Sequence, residues 1–345
     1  MSLQKTITSL LLKLPDPILV AMSGGKPIVR DGRKLDARFQ FIEAAAAKRP
    51  LPDPLMPKFA RDGTDMLTDL FGGPLEAGVE FSDLIIETHG CAIPARAYRP
   101  NNQRPEAPLM IYYHFGGGVV GNVGTCHAFC SILAKIIGCP VLSIDYRLAP
   151  ENRWPAGLDD AINSFLWGRD HAAQFGAPAG LASAGGDSMG GSFSAILALE
   201  MKARNLAQPI VQILIYPATD ITDTTGSMQS CAAAYPLTKA MMDWFMTKYL
   251  PAGADTLDVR ISPAKSADLS GLAPAILVTA GHDPLRDQGM AYAALLKNAG
   301  VSVQVSSYDS LAHGFTAYTG AVPDADRACR EIAAEVRAAY SRQGY

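Results

Sequence analysis

Apolar and polar positions divide the chain into two unlike stretches. Up to about Gly78 the apolar residues recur at helical spacing and no strand pattern stands out. Arg38–Ala47 reads as one helix. Arg61–Phe71 reads as another, with Met66, Leu67, Leu70 and Phe71 on one side. Thr6–Pro15 is too short to span a bilayer, is interrupted by Lys13, and reads as a helix packed on the fold. Pro50-Leu-Pro-Asp-Pro54 breaks the stretch, and Gly72-Gly73-Pro74 ends it. Two readings stay open for residues 1–80: a helical extension, or a lid over a site.

From Glu80 onward, strands alternate with helices. Leu84–His89 and Ala95–Arg99 form a hairpin turned at Gly90. Pro108–Tyr113, Pro140–Asp145, Ile210–Tyr216 and Ala275–Ala280 are apolar runs of the kind covered on both faces, and Val301–Ser306 follows as the last strand. The helices between them are Thr125–Ile137, Ala156–Phe175, Ser192–Arg204 and Leu285–Asn298, with Gly138 and Gly176 closing the first two. The last helix, Asp324–Tyr340, is amphipathic through Cys329, Ile332, Ala333, Val336 and Tyr340. This alternation predicts an α/β fold with a mostly parallel sheet, helices on both faces, and sites at the carboxyl ends of strands. Asp220–Pro251 departs from it. There Met242, Phe245, Met246 and Tyr249 fall at helical spacing, as core or as the lining of an acyl pocket.

Composition narrows the function classes. With 345 residues, 48% of them hydrophobic and 18% charged, the chain can bury a large core and is not generally disordered. A net charge of −3 without any basic run argues against nucleic acid or an anionic membrane as main partner, and no stretch predicts stable membrane insertion. Six scattered cysteines point to a reduced, cytoplasmic protein. Cys126 and Cys130 lie one turn apart, but no second Cys/His pair completes a site, so they read as buried thiols and no metal is expected.

The candidate chemistry centres on Leu181–Gly191. Gly186-Asp187-Ser188-Met189-Gly190 matches G-x-S-x-G, the strand-to-helix elbow that pushes a serine hydroxyl out for attack on a carbonyl. The glycines two before and two after the serine leave room for neighbouring backbone. The strand expected before it, Leu181–Ala184, is short and lacks β-branched residues. His114-Phe-Gly-Gly-Gly118 follows the Pro108–Tyr113 strand; two glycine N–H groups there, with that of Met189, can form an oxyanion hole. Asp283 follows the Ala275–Ala280 strand and His313 follows the last one. The chain order Ser…Asp…His suits an orienting carboxylate and a general base. Asp220 and Asp287 compete with Asp283 for the carboxylate role. His282 reads as structural, His89, His127 and His171 as surface or capping residues, and His114 as a brace for the oxyanion loop.

Five motifs in this order resemble the bacterial hormone-sensitive-lipase family (family IV esterases) of the α/β-hydrolases. They are His114-Phe-Gly-Gly-Gly118, Tyr146-Arg-Leu-Ala-Pro-Glu151, Gly186-Asp-Ser-Met-Gly-Gly191, Asp283-Pro-Leu-Arg-Asp287 and His313-Gly-Phe315. The resemblance implies an eight-stranded α/β-hydrolase domain at 81–345, a helical cap at 1–80, and a second cap segment at 220–251. It implies a serine carboxylesterase for short- to medium-chain esters, with catalytic Ser188, Asp283 and His313, without metal or cofactor. It places the oxyanion donors at Gly116 and Gly117, with Met189, and leaves a homodimer through the sheet edge as an open alternative. Phe115 replaces the first glycine of the family's triplet and is expected to shape the alcohol side of the pocket. Met189 replaces an alanine and needs room beside the site. Amidase, lactonase and acyl-peptidase activities share the same residues. A receptor-like binding module of this family would lack the histidine that His313 supplies.

Overall fold

Eight strands pair into one sheet: β1 (Val79–Thr88), β2 (Cys91–Pro100), β3 (Leu109–Tyr113), β4 (Val141–Ile144), β5 (Ala182–Asp187), β6 (Gln212–Ile215), β7 (Ala275–His282) and β8 (Val303–Ala312). Their spatial order is β8-β7-β6-β5-β3-β4-β2-β1. All pairings from β8 to β4 are parallel, while β2 runs antiparallel to both β4 and β1. The computed structural model describes residues 3–47, 56–88, 90–224 and 226–345; the break expected at 50–54 and the residue His89 lie outside them.

Every residue of β3, β4, β5, β6 and β7 is buried, as apolar runs covered on two faces require. After four N-terminal helices come α5 (His127–Ile137), α6 (Ala156–Asp170), α7 (Met189–Ala203), α8 (Ser227–Ser230), α9 (Lys239–Tyr249), α10 (Arg286–Asn298) and α11 (Pro323–Arg342); α5, α6, α7, α10 and α11 cover the sheet. Phe129 and Leu133 of α5 share a core with Cys329, Ile332, Val336 and Tyr340 of α11. Leu158 and Phe165 of α6 pack with Phe193 and Leu197 of α7 in a second core. Tyr292 and Leu296 of α10 meet Leu214 and Leu277 in a third.

Several limits differ from the sequence reading for local reasons. β1 and β2 extend to ten residues each because they pair in register along their whole length. β8 runs on to Ala312, six residues past the apolar alternation. The helix expected over Ala156–Phe175 stops at Asp170. His171 caps it, its Nδ1 lying 2.7 Å from Trp167 O, and a 3-10 turn follows to Gly176 at φ 78°. Met66, expected on a packed side, is 58% exposed.

The N-terminal stretch consists of α1 (Leu3–Leu11), α2 (Asp16–Met22), a short hairpin pairing Val29–Arg30 with Arg33–Lys34, α3 (Ala37–Ala47) and α4 (Pro57–Phe71). It sits against the carboxyl rim of the sheet. Phe71 stacks on Tyr318 at 5.2 Å between centroids, and Phe39 approaches the same ring at 4.9 Å. Arg33 Nε donates to Gly281 O at 2.9 Å, and Asp36 N–H donates to Ser310 O at 2.9 Å.

Ile332 is fully buried between α11 and the sheet. Ile332→Ala is expected to cost about 2–5 kcal/mol, read as a lowered urea midpoint. Leu295→Ala, on the exposed side of α10, is expected to change stability by no more than about 0.5 kcal/mol.

Candidate active site

Ser188 stands where β5 turns into α7, at φ 55° and ψ −118°, a left-handed backbone that only a constrained side-chain-bearing residue adopts. Its N–H is anchored by donation to Ile215 O at 2.8 Å. The flanking glycines explain why the turn closes. A Cβ at Gly186 would stand 2.5 Å from Tyr113 O, and one at Gly190 would stand 1.9 Å from the same oxygen. The first turn of α7 therefore rides on the last carbonyl of β3. The small residues of β5, unpromising by strand propensity, fit this central position: a Cβ at Gly185 would already press within 3.1 Å of Ile213.

The three predicted side chains come together from three strand ends. Ser188 Oγ lies 2.9 Å from His313 Nε2, and His313 Nδ1 lies 2.7 Å from Asp283 Oδ2. A carboxylate accepts only, so Nδ1–H donates to Asp283 and Nε2 is left to accept the serine proton. The other Asp283 oxygen accepts from Leu285 N–H at 2.8 Å. The competing carboxylates are engaged elsewhere. Asp220 meets Lys265 at 2.7 Å, and Asp287 accepts from Ser227 N–H at 2.8 Å.

Gly116, Gly117 and Gly118 have φ of 122°, 61° and 72°. Gly116 O accepts from the N–H groups of Val119 and Val120, both at 3.0 Å, which folds the loop into a tight turn. The Gly116 and Gly117 N–H groups donate to no partner among the described residues. Met189 opens α7, whose N-terminus favours negative charge. His114 lies beneath the loop, fully buried and stacked on Tyr146 at 4.2 Å. Its Nδ1–H donates to Phe115 O at 2.7 Å, and burial pushes its pKa down to about 4, so it stays a neutral brace.

The remaining predicted residues surround this loop. Phe245 presses on Gly117, and Tyr249 on Gly118. Met242 and Phe245 pack with Met228, Leu237 and Leu285, while half-buried Met246 packs toward Tyr249. Phe115 approaches from the other side, against the cluster of Phe71, Tyr216 and Phe315. His282 is buried with Nδ1 3.2 Å from Arg30, a structural placement. His127 is no plain surface residue: its Nδ1 lies 2.7 Å from Tyr98 Oη, and its ring meets Phe81 edge-on. Cys126 and Cys130 are free thiols with sulfurs 3.7 Å apart, and no group of three or more metal-ligating side chains occurs among the described residues.

A polar layer below the serine escaped the sequence reading. Asp187, fully buried, accepts from Thr316 Oγ1 at 2.6 Å and from Tyr216 Oη at 2.9 Å. Burial pushes its pKa up. The Tyr216 ring packs on His313 at 4.7 Å. One carboxyl thus ties the serine turn, the end of β6 and the histidine loop together. The only sequence signal was an acidic residue in the variable position of the G-x-S-x-G pattern.

Gly190→Ala forces the serine turn off Tyr113 O by more than an ångström. A displacement of that size is expected to lower ester turnover by roughly 100-fold or more, measured with the folded fraction checked by circular dichroism.

Residues 110–317 match the model of a family described as having the alpha/beta hydrolase fold. The carboxylic ester hydrolase LipN of Mycobacterium tuberculosis is 38% identical over 315 residues, 88% of this chain and 82% of that protein. An ethyl acetate hydrolase of Pseudomonas putida is 37% identical over 85% of this chain and 94% of its own length. Among solved structures, an ester-hydrolase, EH1AB1, from the metagenome of Lake Arreo superposes with a TM-score of 0.83 at 39% identity, covering 88% of this chain and 97% of that one. No helix among the described residues is long and apolar enough to cross a membrane. A family match over most of the sheet, and relatives this similar over most of both chains, leave one assignment: the chain belongs to the α/β-hydrolase family, among its hormone-sensitive-lipase-like esterases.

Proposed function

We propose that the chain is a serine carboxylesterase that cleaves short- to medium-chain carboxylic esters through an acyl-enzyme on Ser188. The observation that carries this is the unbroken line from Ser188 Oγ to His313 to Asp283, at 2.9 and 2.7 Å. As Oγ attacks the ester carbonyl, His313 Nε2 takes its proton. Charge developing on the carbonyl oxygen falls to the Gly116, Gly117 and Met189 amides. Asp283 holds the imidazole in one tautomer and stabilises its cation. The imidazolium then returns the proton to the departing alkoxide, and the alcohol leaves. Water, deprotonated by the same imidazole, attacks the acyl-enzyme and releases the acid. This route calls for no metal and no cofactor.

In this reading residues 1–80 and 220–251 form the cap over a catalytic domain at 81–345. The contacts of Phe71 with Tyr318 and of Phe245 with Gly117 support it. Phe115, Met242, Phe245 and Met246 would line the acyl and alcohol pockets. The six free thiols suit a reducing, cytoplasmic compartment. An outer edge of the sheet would be the face of a homodimer.

Two measurements test the proposal. Ser188→Ala is expected to keep its fold and lose roughly 10⁴-fold or more in kcat/KM on p-nitrophenyl butyrate. A fluorophosphonate probe should label the parent protein and not this variant. A fully active Ser188→Ala would end the proposal. Phe245→Ala removes the ring over the oxyanion loop and is expected to raise the octanoate-to-butyrate ratio of kcat/KM about tenfold, the scale of a pocket contact; an unchanged ratio would remove Phe245 from the pocket.

A further inference from the structure

Gly116, Gly117 and Gly118 carry no side chains, so the shape of the oxyanion loop is imposed by its neighbours. Three positive φ angles in a row make a conformation with little intrinsic preference. On the near side, Ala149 N–H donates to Gly118 O at 2.8 Å, and Phe245 and Tyr249 cover the glycines. On the far side a single side chain from the N-terminal stretch completes the grip.

Arg61 extends from α4 to the end of the loop. Its Nε donates to Val119 O at 2.9 Å, and its Nη2 donates to Ala149 O at 2.9 Å. The same guanidinium meets Glu151 in a fork, at 3.0 and 2.6 Å. Val119 and Ala149 are both fully buried, and Arg61 is the only donor to either carbonyl among the described residues. Removing it leaves two buried acceptors unmet, which the loop can relieve only by moving toward water. Val119 follows the glycines directly, and its N–H closes the turn on Gly116 O, so that movement reaches the two oxyanion amides.

We propose that Arg61 is a positioning residue of the oxyanion hole, through which the seating of α4 and the placement of the Gly116 and Gly117 amides become one event. The inference rests on the esterase reading above. A planar guanidinium offers donors in a fixed fork and reaches both carbonyls together; an ammonium at this position reaches one at most. The amides are needed most in the transition state, so the loss falls on kcat rather than KM.

The test compares full-length Arg61→Ala and Arg61→Lys with the parent protein on p-nitrophenyl butyrate. Lys58→Ala is the control; it breaks the exposed Lys58–Asp62 pair on the same helix and touches no loop. Arg61→Ala is expected to lose about 10- to 100-fold in kcat, somewhat less than the removal of a whole oxyanion donor. Its KM should stay near the parent value, and Lys58→Ala should match the parent protein throughout. Added methylguanidinium should restore part of the kcat of Arg61→Ala and leave the parent unchanged. If Arg61→Ala does not fold by near-ultraviolet circular dichroism, Arg61→Lys carries the same comparison. A folded variant with parental kcat overturns the proposal. So does a loss confined to KM, or a loss of kcat that only follows the folded fraction and shows no rescue. Failure of the esterase reading itself looks different: the parent protein would not cleave the ester, or Ser188→Ala would cleave it equally well.

Discussion

The contact between the first turn of α7 and the last carbonyl of β3 constrains everything around the site. Gly186 and Gly190 have no Cβ, and Tyr113 O occupies the space where each would be. This close approach lets β5 enter a helix without an intervening loop, and it sets Ser188 at φ 55°. A strained residue persists only where its surroundings over-determine it. Here they are the parallel pairing of β5 between β3 and β6, the bond from Ser188 N–H to Ile215 O, and the buried carboxyl of Asp187. The strain is met by the rigidity of the central strands, not by the turn itself.

Around that fixed point the other groups arrive on separate supports. Asp283 comes from the end of β7, held by Leu285 N–H; His313 follows β8 and carries Thr316, which bonds Asp187. The His114-Phe-Gly-Gly-Gly118 loop follows β3 and rests on His114 and Tyr146. Charge is handled conservatively throughout. The buried histidine beside the loop stays neutral, and one oxygen of the buried carboxyl beside the serine accepts from two hydroxyls.

The strand and helix alternation from Glu80 onward was legible because each central strand is apolar on both sides and each helix repeats at its own period. The order of motifs was legible because glycine spacing at an elbow follows from van der Waals contact. What stayed hidden depended on distance in the sequence. That Asp283 lies against His313 while Asp220 and Asp287 face Lys265 and Ser227 depends on partners distant in the sequence. The layer of Tyr216, Thr316 and Asp187 joins residues up to 129 positions apart, and no local pattern announces such a pairing. The end of the helix at Asp170 hinged on one histidine side chain reaching back to Trp167. The 58% exposure of Met66 shows that helical spacing marks a face without saying which part of it finds a neighbour.

The hydroxyl and the imidazole that share a proton are 125 residues apart, and the strands carrying them are separated in the sheet by β6 and β7. A chain emerging from the ribosome therefore holds its serine long before it holds the imidazole. The contact between Ser188 and His313 stays unmade through most of synthesis, and it waits on the closing of the last parallel strand, among the slowest kinds of contact for a polypeptide to make.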